Sequence, residues 1–158
     1  MTKTLALSKN VYESSSIAAI GVASHEAGHA LQHAQNYGPL WVRSLLVPTA
    51  SIGSSIGYIV MLVGLMMGSN NLVGIGAVLF SAVLLFQIIT LPVEFNASSR
   101  AKSLVVEKGI ILPQERAGMD RVLNAAAMTY VAAAISTLLT LLYFLHAGRP
   151  SWGTRRPE

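Results

Sequence analysis

From Ser44 to Val93 the chain reads SLLVPTASIGSSIGYIVMLVGLMMGSNNLVGIGAVLFSAVLLFQIITLPV, fifty residues without one charged side chain. Crossing the hydrocarbon core of a bilayer takes about 20 apolar residues as helix, so this run has room for two crossings. The only strongly polar break inside it is Gly68-Ser69-Asn70-Asn71, which reads as a turn. Two spans joined by that turn, about 44–67 and 72–91, make a helical hairpin. The first carries Ser51, Gly53, Ser54, Ser55 and Gly57 close together, small residues that let helix backbones approach in lipid. A second uncharged run, between Arg121 and Arg149, holds a third span at about 123–145.

Composition agrees. Of 158 residues, 53% are hydrophobic and 11% charged, against roughly 25% charged in an average soluble chain. So few charges cannot cover a soluble surface of this size. There is no cysteine, which excludes disulfides and thiolate metal sites and leaves His, carboxylate and water as metal ligands. The net charge of +4 is modest, and its basic residues are not interleaved with aromatics, so no nucleic-acid partner is expected. The first sixteen residues are polar and show no signal peptide.

Outside the spans the pattern changes. Leu5 and Leu7 alternate within Lys3–Ser8, consistent with one short N-terminal strand. Ser14, Ser15 and Ser16 offer caps for a helix from Ile17 to about Gln35, which Gly38-Pro39 ends. Pro92 either kinks the second hairpin helix or starts a new one, and Asn96–Lys108 reads as continuing helix ended by Gly109 and Pro113. Residues 148–158 read as a flexible tail. The expected fold is an all-α integral membrane protein forming a single domain over 1–158.

Lys and Arg set the sidedness. The N-terminal segment has Lys3, Lys9 and Arg43, and residues 94–121 have five more. The hairpin puts both segments on one face, and the other face has only the three arginines of the tail. Eight against three places the N-terminal segment and residues 94–121 in the cytoplasm, with the chain as a multi-pass protein of the cell membrane.

On the first of these segments His25-Glu26-Ala27-Gly28-His29 forms HExxH. Residues four apart stack on one helix face about 6 Å apart, so two imidazoles can converge on one Zn²⁺ at about 2.0–2.1 Å. Glu26, about 100° round the helix, stands beside the metal, where a carboxylate can take a proton from activated water. With the chain's own His and Glu content, a chance match has a probability of roughly 0.4%.

A catalytic zinc asks for a third protein ligand and an open position. Glu94, at the end of the second span, is the candidate. Glu107 and Glu115 lie among basic residues and read as solvated charges. Ser98, four residues on, could support a ligand by hydrogen bonding. His33 is about 12 Å along the helix from His25, too far to share its metal, and reads as satisfied or solvent-facing. His146 reads as interfacial, and the six methionines as packing. The oxyanion partner stays open among Arg100, Arg121 and Tyr130.

The blocks Ser16-Ile-Ala-Ala-Ile-Gly-Val-Ala-Ser-His-Glu-Ala-Gly-His-Ala-Leu-Gln-His33 and Leu91-Pro-Val-Glu-Phe-Asn-Ala-Ser-Ser-Arg-Ala101 resemble the YugP-type neutral zinc metallopeptidases, membrane proteins of bacteria. The likeness runs from about Leu5 to Leu145. That group is similar in turn to the gluzincin membrane proteases of the HtpX and CaaX-protease kind, where the Glu of E-x-x-x-D is the third ligand. The resemblance implies that role for Glu94, with Ser98 standing where the Asp would fall. It also implies an N-terminal membrane helix and a short soluble segment that this chain lacks.

The reading is therefore a zinc-dependent membrane endopeptidase. His25, His29 and Glu94 hold Zn²⁺, Glu26 is the general base, and the substrate is a peptide or protein associated with the membrane. One rival is a non-catalytic zinc-binding membrane scaffold or assembly protein. The other is a small transport or assembly protein in which HExxH is accidental; no intramembrane charge marks an ion pathway for it.

Overall fold

A computed structural model describes residues 4–148. The order is α1 (Lys9–Tyr12), α2 (Ile17–Ala34), α3 (Gly38–Met66), α4 (Asn70–Glu107), a 3₁₀ turn (Pro113–Glu115) and α5 (Arg116–Ala147). The fold is all-α. Helices α3, α4 and the Pro113–Ala147 stretch are each long and apolar enough to cross a membrane.

The strand expected at Lys3–Ser8 is absent among the described residues. Thr4–Ser8 has no regular structure and Leu5 is exposed, because alternation over so few residues makes a strand only against a partner. Residues 149–158 of the expected tail lie outside the described residues.

The helix ends follow from local chemistry. The Ser16 hydroxyl caps α2 by accepting from the Ala19 N–H at 3.2 Å. Three helices close with the same pair of bonds, in which the two residues past the cap donate back to the last turn. Tyr37 and Asn36 donate to the carbonyls of Gln32 and His33 after α2, Ser69 and Gly68 to Gly64 and Leu65 after α3, and Ile110 and Gly109 to Val105 and Val106 after α4. This closure needs a left-handed residue. Gly68 and Gly109 supply it at φ 65° and 63°, and Asn36 supplies it at 51°. Gly38, expected to end α2, instead begins α3.

Helix α4 runs unbroken through Pro92. The proline removes one backbone donor yet does not stop the helix, so the second span and Glu94 belong to a single element.

The chain gathers into two units. The first comprises the chain up to Ser44 and Ile88–Ala132. Its core is Ala101, Val105, Ile111, Met119 and Leu123, with Ile17 and Ile20 packed on it. Lys102 ties α4 to α5 there, donating to Asn124 Oδ1 at 2.8 Å and pairing with Asp120 at 3.4 Å.

The second unit comprises Leu45–Gln87 and the chain from Ala133. Met61, Val73, Ala77, Phe80 and Phe144 form its core. The hairpin helices touch through their small residues. A Cβ on Gly57 would lie 2.7 Å from Phe80 N, and one on Gly64 would lie 2.6 Å from Val73 N. Such backbone contact gains dispersion energy where lipid offers no hydrophobic drive.

Candidate metal centre

His25 and His29 occupy one face of α2, four residues apart. That face meets α4 with little between the backbones: a Cβ on Gly28 would overlap the carbonyl of Ala97. Ser24, Gly28 and Gln32 are buried along the same contact. The glycine of the motif thus sets how near α2 comes to α4, and with it how near the imidazoles come to Glu94.

The two rings and the acid converge. His25 Nε2 lies 3.1 Å from Glu94 Oε2, and His29 Nε2 lies 3.5 Å from the same oxygen. One donor atom from each residue falls within 4.8 Å of the others. Ligands about 2.0–2.1 Å from a tetrahedral ion stand about 3.3 Å apart, so the two separations from Glu94 fit a zinc-sized ion. The donor set, two imidazoles and one carboxylate without sulfur, also suits zinc. Glu94 is only 1% exposed, and its Oε1 accepts no hydrogen bond. Arg43 is the cation beside that buried oxygen, which leaves Oε2, turned to the histidines, as the oxygen that could meet an ion.

Each member of the trio has an outer partner. The Ser98 hydroxyl lies 3.2 Å from His25 Nδ1. Gln32 Oε1 lies 2.9 Å from His29 Nδ1. Arg43 Nη2 lies 3.4 Å from Glu94 Oε1, while its buried Nε has no hydrogen-bond partner. Metal-ligating histidines typically have the second ring nitrogen tied in this way, which fixes ring orientation. The hydrogen bond to Glu94 lifts the His29 imidazole above its ordinary value against the opposing effect of burial, with the Gln32 bond adding to the rise.

The other sequence candidates are elsewhere or differently engaged. Glu26 is exposed on α2. Glu107 is exposed and pairs with Lys108 at 3.7 Å, and Glu115 accepts from the Leu112 N–H at 2.7 Å. His33 and His146 are exposed. Of the three oxyanion candidates, Arg100 is engaged with Asn96, Gln35 and the face of Tyr37, and Arg121 is exposed. The Tyr130 phenol is within electrostatic reach of Glu94, Arg43 and Glu26 together.

Sequence reasoning missed Gln32 and Asn96, and took Arg43 for a topology signal alone. Gln32 does fall three residues after His29 and seven after His25, on the motif's own face. That spacing could have drawn attention to it, although a glutamine carries no chemical signature by itself.

The sequence matches over residues 1–149 a family model described as "Putative neutral zinc metallopeptidase". It is 51% identical over 143 residues to a protein of Bacillus subtilis (strain 168) named "Putative membrane protease YugP". That match covers 90% of this chain and 64% of the relative's length, so the chain spans somewhat under two thirds of that protein. No solved structure matches the chain.

Proposed function

The chain belongs to the family described as "Putative neutral zinc metallopeptidase", and from that premise we propose that it is a zinc-dependent endopeptidase of the membrane. His25, His29 and Glu94 would hold the ion. The observation that carries this reading is the approach of both Nε2 atoms to one buried oxygen of Glu94, at 3.1 and 3.5 Å.

Bound there, zinc would act as a Lewis acid that lowers the pKa of a water and polarises a carbonyl. The chain's own residues do the rest. Glu26 is exposed beside the pair of histidines, so its carboxylate is free to take a proton from the attacking water and return it to the leaving amine. Tyr130, the one of the three candidate donors that feels the charges of both Glu94 and Glu26, is assigned to meet negative charge on the substrate oxygen. Ser98, Gln32 and Arg43 hold the rings and the carboxylate in place.

The substrate is a peptide or protein that reaches the site from the membrane surface. The site faces the cytoplasm, a reading supported by eight of the eleven Lys and Arg falling in the segments that carry it.

The test is metal content and peptide hydrolysis on detergent-purified protein, measured beside His25→Ala and Glu26→Gln. The parent should hold about one zinc per chain, as a single three-ligand site requires. Glu26→Gln should keep the zinc and lose turnover, since an amide preserves shape but cannot take a proton at neutral pH. His25→Ala should lose both. Zinc lost from Glu26→Gln, or turnover retained by it, would show that the role given to Glu26 is wrong.

A further inference from the structure

Gln32 has no exposed surface, so its amide must find every partner inside the protein. Its nitrogen lies 2.8 Å from the Val93 carbonyl and 3.0 Å from Asn96 Oδ1. The two ends of an amide are assigned from their partners, and here two partners fix the assignment independently. A backbone carbonyl only accepts, so the Gln32 atom facing Val93 is the nitrogen. Arg100 Nε only donates, and it reaches Asn96 at 2.6 Å, so that atom of Asn96 is the oxygen and Gln32 must donate to it.

The oxygen of Gln32 is therefore the atom 2.9 Å from His29 Nδ1, and Nδ1 must carry a proton. A neutral imidazole with its proton on Nδ1 has a bare lone pair on Nε2, and Nε2 is the atom turned to Glu94. His25 has no such instruction, because its Nδ1 partner is the Ser98 hydroxyl, which can donate or accept.

We propose that Gln32, braced by Val93 and by the Asn96–Arg100 pair, is a positioning residue that sets the tautomer of His29 and so presents Nε2 to the metal. The inference rests on the metal-centre reading above. Its rival is plain packing, in which a buried side chain of this volume only fills space between α2 and α4.

Zinc dissociation constants by chelator competition, in detergent, separate the two for the parent, Gln32→Met and Gln32→Glu. Methionine keeps the volume and removes all three bonds. Protonated glutamic acid keeps the acceptor toward His29 and one donor. Gln32→Met should weaken zinc by about 10- to 100-fold, the usual cost of losing such an outer partner, and Gln32→Glu should recover most of that loss. Side-chain ¹⁵N resonances of the zinc-loaded parent should show His29 with its proton on Nδ1 and the metal on Nε2. Methionine binding zinc as well as the parent, or better than glutamate does, overturns the proposal, as does metal on Nδ1. Should Gln32→Met not fold, Glu94→Ala, which removes the competing acceptor at Nε2, decides instead: its zinc-free spectrum at alkaline pH shows Nδ1–H if the proposal holds and Nε2–H if it fails. A parent that binds no zinc sinks the metal-centre reading instead, and that zinc-free spectrum still judges the tautomer.

Discussion

Gly28 lies so close to the backbone carbonyl of Ala97 that a Cβ on residue 28 would overlap it. Because the obstacle is backbone, relief requires a movement of the whole helix. The same contact spaces His25 and His29 from Glu94, three residues before Ala97 on α4.

Gly28→Ala should therefore damage the metal centre without touching a ligand. Overpacking of this kind costs about 1–3 kcal/mol, and part of it would be relieved by moving α2 away from α4. Zinc affinity should fall by at least about 10-fold, comparable to loss of an outer partner, while circular dichroism shows the helices retained. Parent-like zinc affinity in this variant would mean that α2 does not depend on the contact.

Glu94 should behave unlike the two acids nearest it in sequence to its C-terminal side. Glu94→Ala should weaken zinc by at least about 10-fold and abolish hydrolysis. Glu107→Ala and Glu115→Ala should do neither, since one pairs only with Lys108 at the surface and the other caps a turn. Metal analysis of the three variants decides. Full zinc in Glu94→Ala would remove the third ligand.

Acidification should release zinc earlier than an ordinary histidine would predict. Zinc needs the neutral imidazole, and the Glu94 hydrogen bond holds the His29 proton on above its ordinary value of 6.5. The apparent zinc affinity should begin to fall while the pH is still above 6.5. The metal-free protein carries the opposite sign. A raised folded pKa contributes stability that is complete below 6.5 and is lost as pH rises through the folded value. The melting-temperature advantage of metal-free parent over His29→Asn should accordingly shrink as the pH rises above 6.5. An advantage that stays constant would show that the Glu94 bond does not hold the proton.

Sidedness is open to labelling, and the absence of native cysteine makes single substitutions clean. Cysteines placed at Lys9 and Lys108 should be shielded from an impermeant thiol reagent in intact cells, and one at Asn70 should react. Reaction at Lys9 but not at Lys108 would separate the motif from Glu94 and break the hairpin.

Why some of this was legible and some not comes down to how far each signal reaches along the chain. Three long helices show in hydropathy because about 20 apolar residues leave no competing structure in lipid. His25 and His29 show because a fixed spacing of four has one meaning on a helix. Glu94 shows as an acid just past an apolar run. The strand at Lys3–Ser8 failed because pairing depends on a partner that the local alternation cannot name. Helix α4 passes Pro92 because one lost donor is a small defect in 38 residues. Gln32 and Arg43 stayed hidden because their partners, Asn96 and Glu94, lie more than fifty residues away.

The stripe on α2 that carries His25, Gly28, His29 and Gln32 has a consequence for mutational tolerance. In most helices the buried stripe can drift among apolar residues of similar size, because nothing but volume is selected there. On α2 these positions are also an imidazole turned to Glu94, a backbone clearance, a second such imidazole and an amide brace, so folding and the proposed chemistry fall on the same sites. A library of α2 variants screened for expression alone would already penalise changes at Gly28 and Gln32, and would pass over Glu26, which is exposed. Screened for hydrolysis as well, the library should lose Glu26 too, and the difference between the two screens would separate the role proposed for Glu26 from the packing roles of Gly28 and Gln32.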